Sequence, residues 1–208
     1  MNKESNIAYI DGQNLHLGTK AEWWQIDFTR FRVYLRDKYK VSEAYYFMWF
    51  FDETATKLYT KLEQAWFIVV MRDHTVNLVG KKKGNVDVDI VFEMMRSLID
   101  NQSFDKIILV SGDGDYIKPV KYLIERWKFK KILFPNRKYS TLYKKIKAEY
   151  WINLSEKDIK KKVMYIPKKK TEKVKKQIKK QIKKNKPKKP QKNNKPNNKK
   201  TNKKKGRP

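Results

Sequence analysis

Two segments place acids at the ends of short apolar runs, where a chain can build chemistry simply. The first reads Ile10-Asp11-Gly12-Gln13-Asn14 and the second Val110-Ser111-Gly112-Asp113-Gly114-Asp115. A third pair, Asp87 and Asp89, falls in the first turn of an expected helix over 86–100. Glycine beside the acids lets the chain turn sharply and leaves the carboxylates uncrowded. Brought together, several carboxylates repel one another unless a cation sits between them. Oxygen donors without cysteine, and with only His16 and His74 as histidines, favour Mg²⁺ or Mn²⁺ over Zn²⁺. Such ions clamp the oxygens of a phosphodiester and activate the attacking water. Taken singly, each acid also has a plain reading. Asp87 and Asp89 suit a helix N-terminus, worth ~0.3–1 kcal/mol each, and Asp113 and Asp115 suit a turn and an N-cap.

The acids act together only if the fold brings their segments together. Apolar and β-branched runs predict strands at 6–10, 41–51, 67–71, 75–79, 106–110, 131–134 and 151–154. Helical spacing predicts helices at 28–39 behind an Asp27 cap, 53–66, 86–100, 116–127 and 140–148. His16, Trp23 and Trp24, after the first acid motif, read as loop residues, as do residues 81–85. Strands alternating with helices imply an α/β fold, three-layered and Rossmann-like, with a mostly parallel central sheet. Ligands of such folds bind beyond the carboxyl ends of the strands. If the first and fifth predicted strands are neighbours, ~4.8 Å apart, Asp11 and Asp113 meet at one edge. Neither GxxxxGK[ST] nor GxGxxG occurs, so phosphate binding by a glycine-rich loop is not expected.

Charge divides the chain. Its 208 residues carry 51 Lys+Arg against 22 Asp+Glu, a net +29. From Pro167 onward there are 21 bases and one acid, Glu172, so this stretch alone carries +20. Its apolar groups are few (chiefly Val174, Ile178 and Ile182), too few to offset the entropy of ordering. The expected organisation is one domain over 1–156 and a Lys-rich tail over 157–208. Within the tail, 173–184 forms a basic amphipathic helix when bound, and the rest stays disordered. No run of 18 apolar residues predicts a membrane span, and the N-terminus lacks a signal-peptide layout. The expected location is the cytoplasm. A positive balance of this size favours a polyanionic partner.

Three segments together resemble the NYN domain, the LabA-like branch of the PIN-like nucleases: "AYIDGQN" at 8–14, "KKKGNVDVDIVFEMM" at 81–95 and "ILVSGDGDYIKPVKYL" at 108–123. The resemblance runs over about residues 5–155 with the motif order kept. It implies a PIN-like fold, a carboxylate cluster holding a divalent cation (Mg²⁺ or Mn²⁺), and ribonuclease activity, expected to be endonucleolytic. By position it implies that Asp11, Asp87, Asp113 and Asp115 are metal-binding and catalytic, with Asn14 orienting a ligand, water or phosphate. Asp89 fits less well, because residues two apart on a helix diverge by about 200°. Glu93 sits where the family often has another acid. The turn at 125–130 lacks the glycine that members commonly carry, which should alter a helix end rather than the site.

Basic and aromatic groups extend the expectation to nucleic acid. Lys81, Lys82 and Lys83 directly precede Asp87 and could hold backbone phosphates. Trp23 and Trp24 could stack unpaired bases, worth ~1–3 kcal/mol each, or pack under the first helix. His16 reads as an ordinary loop histidine near the cleft. In the tail, Lys173, Lys176 and Lys180 belong to the basic helix, and counterion release gives it affinity for RNA or DNA. RNA is the expected partner, with a ribosome or other structured RNA as the economical target. The rival reading is a non-catalytic RNA- or DNA-binding adaptor on a nuclease-like fold. A Toprim centre needs glutamate where this chain has Asp11, and a haloacid-dehalogenase phosphatase needs DxDx[TV] where it has DGQN.

Overall fold

A computed structural model describes residues 4–48, 56–71, 86–100 and 103–167. Six strands form one sheet: β1 (Asn6–Asp11), β2 (Val41–Met48), β3 (Ile68–Met71), β4 (Ile107–Val110), β5 (Phe129–Phe134) and β6 (Trp151–Asn153). Their order is β3-β2-β1-β4-β5-β6, and every neighbouring pair is parallel. β1 and β4 are buried along their whole lengths, as central strands covered on both faces must be.

Alternation along β1 separates two apolar layers. Ala8 and Ile10 face α1 (Gly12–Ala21), α2 (Phe28–Tyr39) and α3 (Thr56–Gln64) through Leu15, Phe31, Leu35 and Leu62. Ile7 and Tyr9 face α4 (Val86–Ile99) and α5 (Ile117–Glu125) through Ile90, Met94, Val120 and Leu123. The result is the three-layer α/β architecture expected from the sequence, with a parallel central sheet. The chain leaves β1 to build β2 and β3 on one side. It then crosses back through α4 to lay β4 on the other, so its direction of growth reverses between β1 and β4. That is where open α/β sheets place their ligands.

Several local features depart from the sequence expectations. Residues 12–21 form α1 rather than a loop. The Asp11 carboxylate ends β1 and caps α1, accepting the Asn14 N–H at 2.9 Å. Gly12 makes this junction feasible, since a Cβ there would lie 2.6 Å from the Phe47 carbonyl oxygen. His16 is therefore a helical residue. Residues 140–148 form short 3₁₀ turns, Thr141–Lys145 and Ala148–Tyr150, rather than a helix. In the glycine-free turn after α5, Trp127 takes the left-handed conformation (φ 59°).

The expected domain boundary lies at residue 156. The folded unit reaches Ile166, because α6 (Lys157–Val163) buries Ile159 and Val163 in the layer beneath α2. Arg30 fastens it, donating to the carbonyls of Lys161 at 2.8 Å and Met164 at 3.0 Å. The expected strand at 75–79, the loop at 81–85 and the helix at 173–184 lie outside the described residues. No helix among the described residues is long and apolar enough to cross a membrane.

Candidate metal centre

Register brings the two acid-bearing strand ends side by side. Ile10 pairs with Val110, so Asp11 emerges beside Ser111. The Asp11 carboxylate accepts from Ser111 Oγ at 3.3 Å and lies 3.4 Å from the Tyr116 hydroxyl. Asn14, on the first turn of α1, reaches across to the β4 end, where its side-chain oxygen accepts the Gly112 N–H at 2.8 Å. The loop after β4 is held by its own side chains. Ser111 Oγ accepts the Asp113 N–H at 3.1 Å, and the Asp113 carboxylate accepts the Asp115 N–H at 3.1 Å. The Tyr143 hydroxyl donates to the Asp113 carbonyl.

From the opposite face, α4 presents Asp87 in its first turn, where the helix dipole favours an anion. Asp87, Asp113 and Asp115 each offer a carboxylate oxygen, and these oxygens lie within 4.8 Å of one another. Asp11 stands behind this group, 6% exposed. Its burial pushes its carboxyl up to about 6, and the charges of Asp87 and Asp113 push the same way, while the Asn14 N–H opposes them. Burial also raises Asp87, reinforced by Asp113 and Asp115 and opposed by the Tyr116 hydrogen bond. Three carboxylates held this close, with the buried charge of Asp11 nearby, are ill at ease without a cation, and an all-oxygen donor set suits a hard divalent ion.

The Tyr116 hydroxyl carries one proton between two of these acids. It donates to Asp87 and sits 3.4 Å from Asp11. Burial, then the charges of Asp11 and Asp87, drive its titration far above the ordinary tyrosine range, so it stays a donor. A pocket of about 390 Å³ opens in front of the acids. Asp11, Asn14, Asp87 and Asp113 line it from one side. Gln13, Leu17 and Gly18 of α1 and Asn136 and Lys138 of the loop after β5 complete it.

The remaining expected residues divide. Asp89 is not in the cluster, consistent with its turn away from Asp87 around α4. Glu93 pairs with Arg96 at 2.7 Å. Trp23 is exposed, but the expectation that Trp24 stacks a base is corrected. Trp24 is 5% exposed, packed in the core with Lys160 Nζ 5.2 Å from its ring centre, so no base can reach its face. Lys81, Lys82, Lys83, Lys173, Lys176 and Lys180 lie outside the described residues. Sequence reading missed the Tyr116 hydroxyl, Gln13, Asn136 and Lys138. Tyr116 directly follows Asp115, and Asn136 and Lys138 follow a strand that neighbours β4, so the strand-end rule covers them once the strand order is known.

Comparison with known proteins bears on the family and the fold. The family model described as NYN domain matches residues 7–155. The fold is similar to the crystal structure of a protein of unknown function from Vibrio parahaemolyticus, with a TM-score of 0.62 at 22% identity, covering 79% of this chain and 100% of the other. A search of the curated proteins found no match.

Proposed function

The chain belongs to the NYN-domain family within the PIN-like superfamily, and from that premise we propose that it is a divalent-metal-dependent ribonuclease. The observation that carries this reading is the carboxylate group of Asp87, Asp113 and Asp115 within 4.8 Å, backed by buried Asp11. NYN nucleases generally depend on a divalent cation and act on nucleic acid, and a nuclease-like fold with an acidic cluster fits both.

Asp87, Asp113 and Asp115 would hold Mg²⁺ or Mn²⁺, with Asp11 adding its charge from below. A cation bound there polarises a phosphodiester and lowers the pKa of a coordinated water. The chain's own residues do the rest. Asn14 locks the β1 and β4 ends together. Tyr116 keeps Asp87 and Asp11 oriented. Lys138, which lines the same pocket, would offer a positive charge to a phosphate bound there. Lys81–Lys83 and the basic tail, including Lys173, Lys176 and Lys180, supply further phosphate contacts and prolong residence on RNA. Cleavage is endonucleolytic and the location cytoplasmic, with structured RNA such as the ribosome as the target.

The test uses labelled RNA and the full chain with EDTA, Mg²⁺ or Mn²⁺. Product should appear only with metal, and Asp113→Asn should abolish it while RNA binding stays within about twofold. Equal product from wild type and variant would assign the activity to a contaminant. Binding without product in any metal would leave the adaptor reading.

A further inference from the structure

α4 is apolar on two sides. Val86, Ile90, Met94 and Ser97 are buried against the sheet. On the other side, Val88, Phe92 and Ile99 are 59%, 58% and 76% exposed, with half-buried Met95 in line between them. At ~100° per residue these four fall within about 60° of one another, and their centre lies about 180° from the buried side. α1, α2 and α5 each expose one large apolar side chain (Leu17, Val33 and Tyr122), where α4 exposes three along one stripe. A helix apolar all round belongs in a buried setting, and nothing among the described residues covers this outer stripe.

The spacing says what kind of surface fits it. Val88, Phe92, Met95 and Ile99 follow one another by four, three and four residues, the seam of two helices packed knobs-into-holes. The stripe is also complementary to itself. With a second α4 laid antiparallel across it, one two-fold axis sets Val88 against the partner's Ile99 and Phe92 against the partner's Met95, since both pairs share a midpoint. The flanks of the seam select this direction. Asp89 and Arg96 line one flank, Val91 and Leu98 the other. Antiparallel helices bring like flanks together, so Asp89 falls near the partner's Arg96 and Val91 near the partner's Leu98. Parallel helices would bring unlike flanks together and set both charges against apolar groups. A nucleic acid or an anionic membrane suits the stripe poorly, because Phe92 and Ile99 offer it no charge and Asp89, Glu93 and Asp100 repel it.

We propose that the protein forms a two-fold dimer through the outer faces of two antiparallel α4 helices. The contact is isologous, so it closes at two copies and leaves no stripe free. One helix pair buries less than the ~800 Å² per partner of a standard interface, so the dimer is a micromolar, concentration-dependent one. Helix axes ~8–10 Å apart would place the two Asp87 backbones about 21 Å from one another, with the acid groups at opposite ends of the seam. The proposal stands apart from the nuclease reading, since it uses neither the acid cluster nor its chemistry.

The experiment measures the mass of the full chain by sedimentation equilibrium, freed of nucleic acid and in high salt so that no polyanion bridges two chains. The chain should be mostly dimer at roughly 100 µM and mostly monomer at roughly 1 µM. Phe92→Ala should weaken the dimer about tenfold and Phe92→Asp about thirtyfold or more. Circular dichroism should not change in either, because the side chain lies outside the core. Register is read separately by cross-linking, for the chain has no cysteine of its own. A mixture of Val88→Cys and Ile99→Cys chains should yield a disulfide-linked dimer on mild oxidation, and neither variant alone should. A monomer at roughly 100 µM would overturn the proposal, as would a dimer that Phe92→Asp leaves equally tight. Cross-linking by Val88→Cys alone would overturn the antiparallel pairing.

Discussion

Asp11 does three jobs with one carboxylate. It ends β1, caps α1 and backs the acid cluster, and burial with like-charged neighbours pushes it up to about 6. Tyr116 is the group that makes this crowding tolerable, since its proton lies between Asp11 and Asp87. Partners that orient ligating carboxylates typically govern metal affinity by ~10–100-fold. Tyr116→Phe should therefore weaken Mn²⁺ binding about tenfold, read by electron paramagnetic resonance of free Mn²⁺. Saturating Mn²⁺ should restore most cleavage, a recovery that general unfolding would not permit. An unchanged Mn²⁺ affinity would reduce Tyr116 to a packing residue.

At the scale of elements, α6 carries the clearest test. Cutting after residue 166 should leave the melting temperature of the folded unit nearly unchanged. Cutting after residue 156 removes Ile159 and Val163 from the core and should cost on the order of 3–5 kcal/mol, measured by urea unfolding. The same element illustrates what sequence reading could reach. α2 was legible because Asp27 and the spacing of Phe28, Phe31 and Leu35 are local signals. β1 and β4 were legible because buried central strands read as unbroken apolar runs. α6 was not, since its sequence KDIKKKV is mostly lysine and only the docking surface of α2 gives Ile159 and Val163 a reason to be buried. α1 failed similarly. Its two glycines argue against a helix, and they are needed for contacts with Tyr46, Phe47 and Pro135 that only the folded chain makes. Within the site, acids that shared a motif were readable. Trp24 was misassigned because a buried and an exposed indole, adjacent in sequence, look alike before burial is known.

For the whole molecule, charge sets the terms of any encounter with a polyanion. Residues 167–208 hold +20 of the +29, so removing them should flatten the dependence of log Kd on log salt and weaken RNA binding most at low salt. Cleavage of short oligomers at saturation should persist, because the acids lie in the folded unit. A salt slope unaltered by the truncation would move the electrostatic footprint onto that unit. The sheet order has one more consequence. Asp11 and its partner Ser111 are 100 residues apart in sequence, and β4 is laid beside β1 only after the chain has returned from the opposite side. A nascent chain that has not yet delivered β4 holds Asp11 and Asp87 but neither Asp113 nor Asp115, so the acid cluster and its pocket come into being only once β4 is laid beside β1.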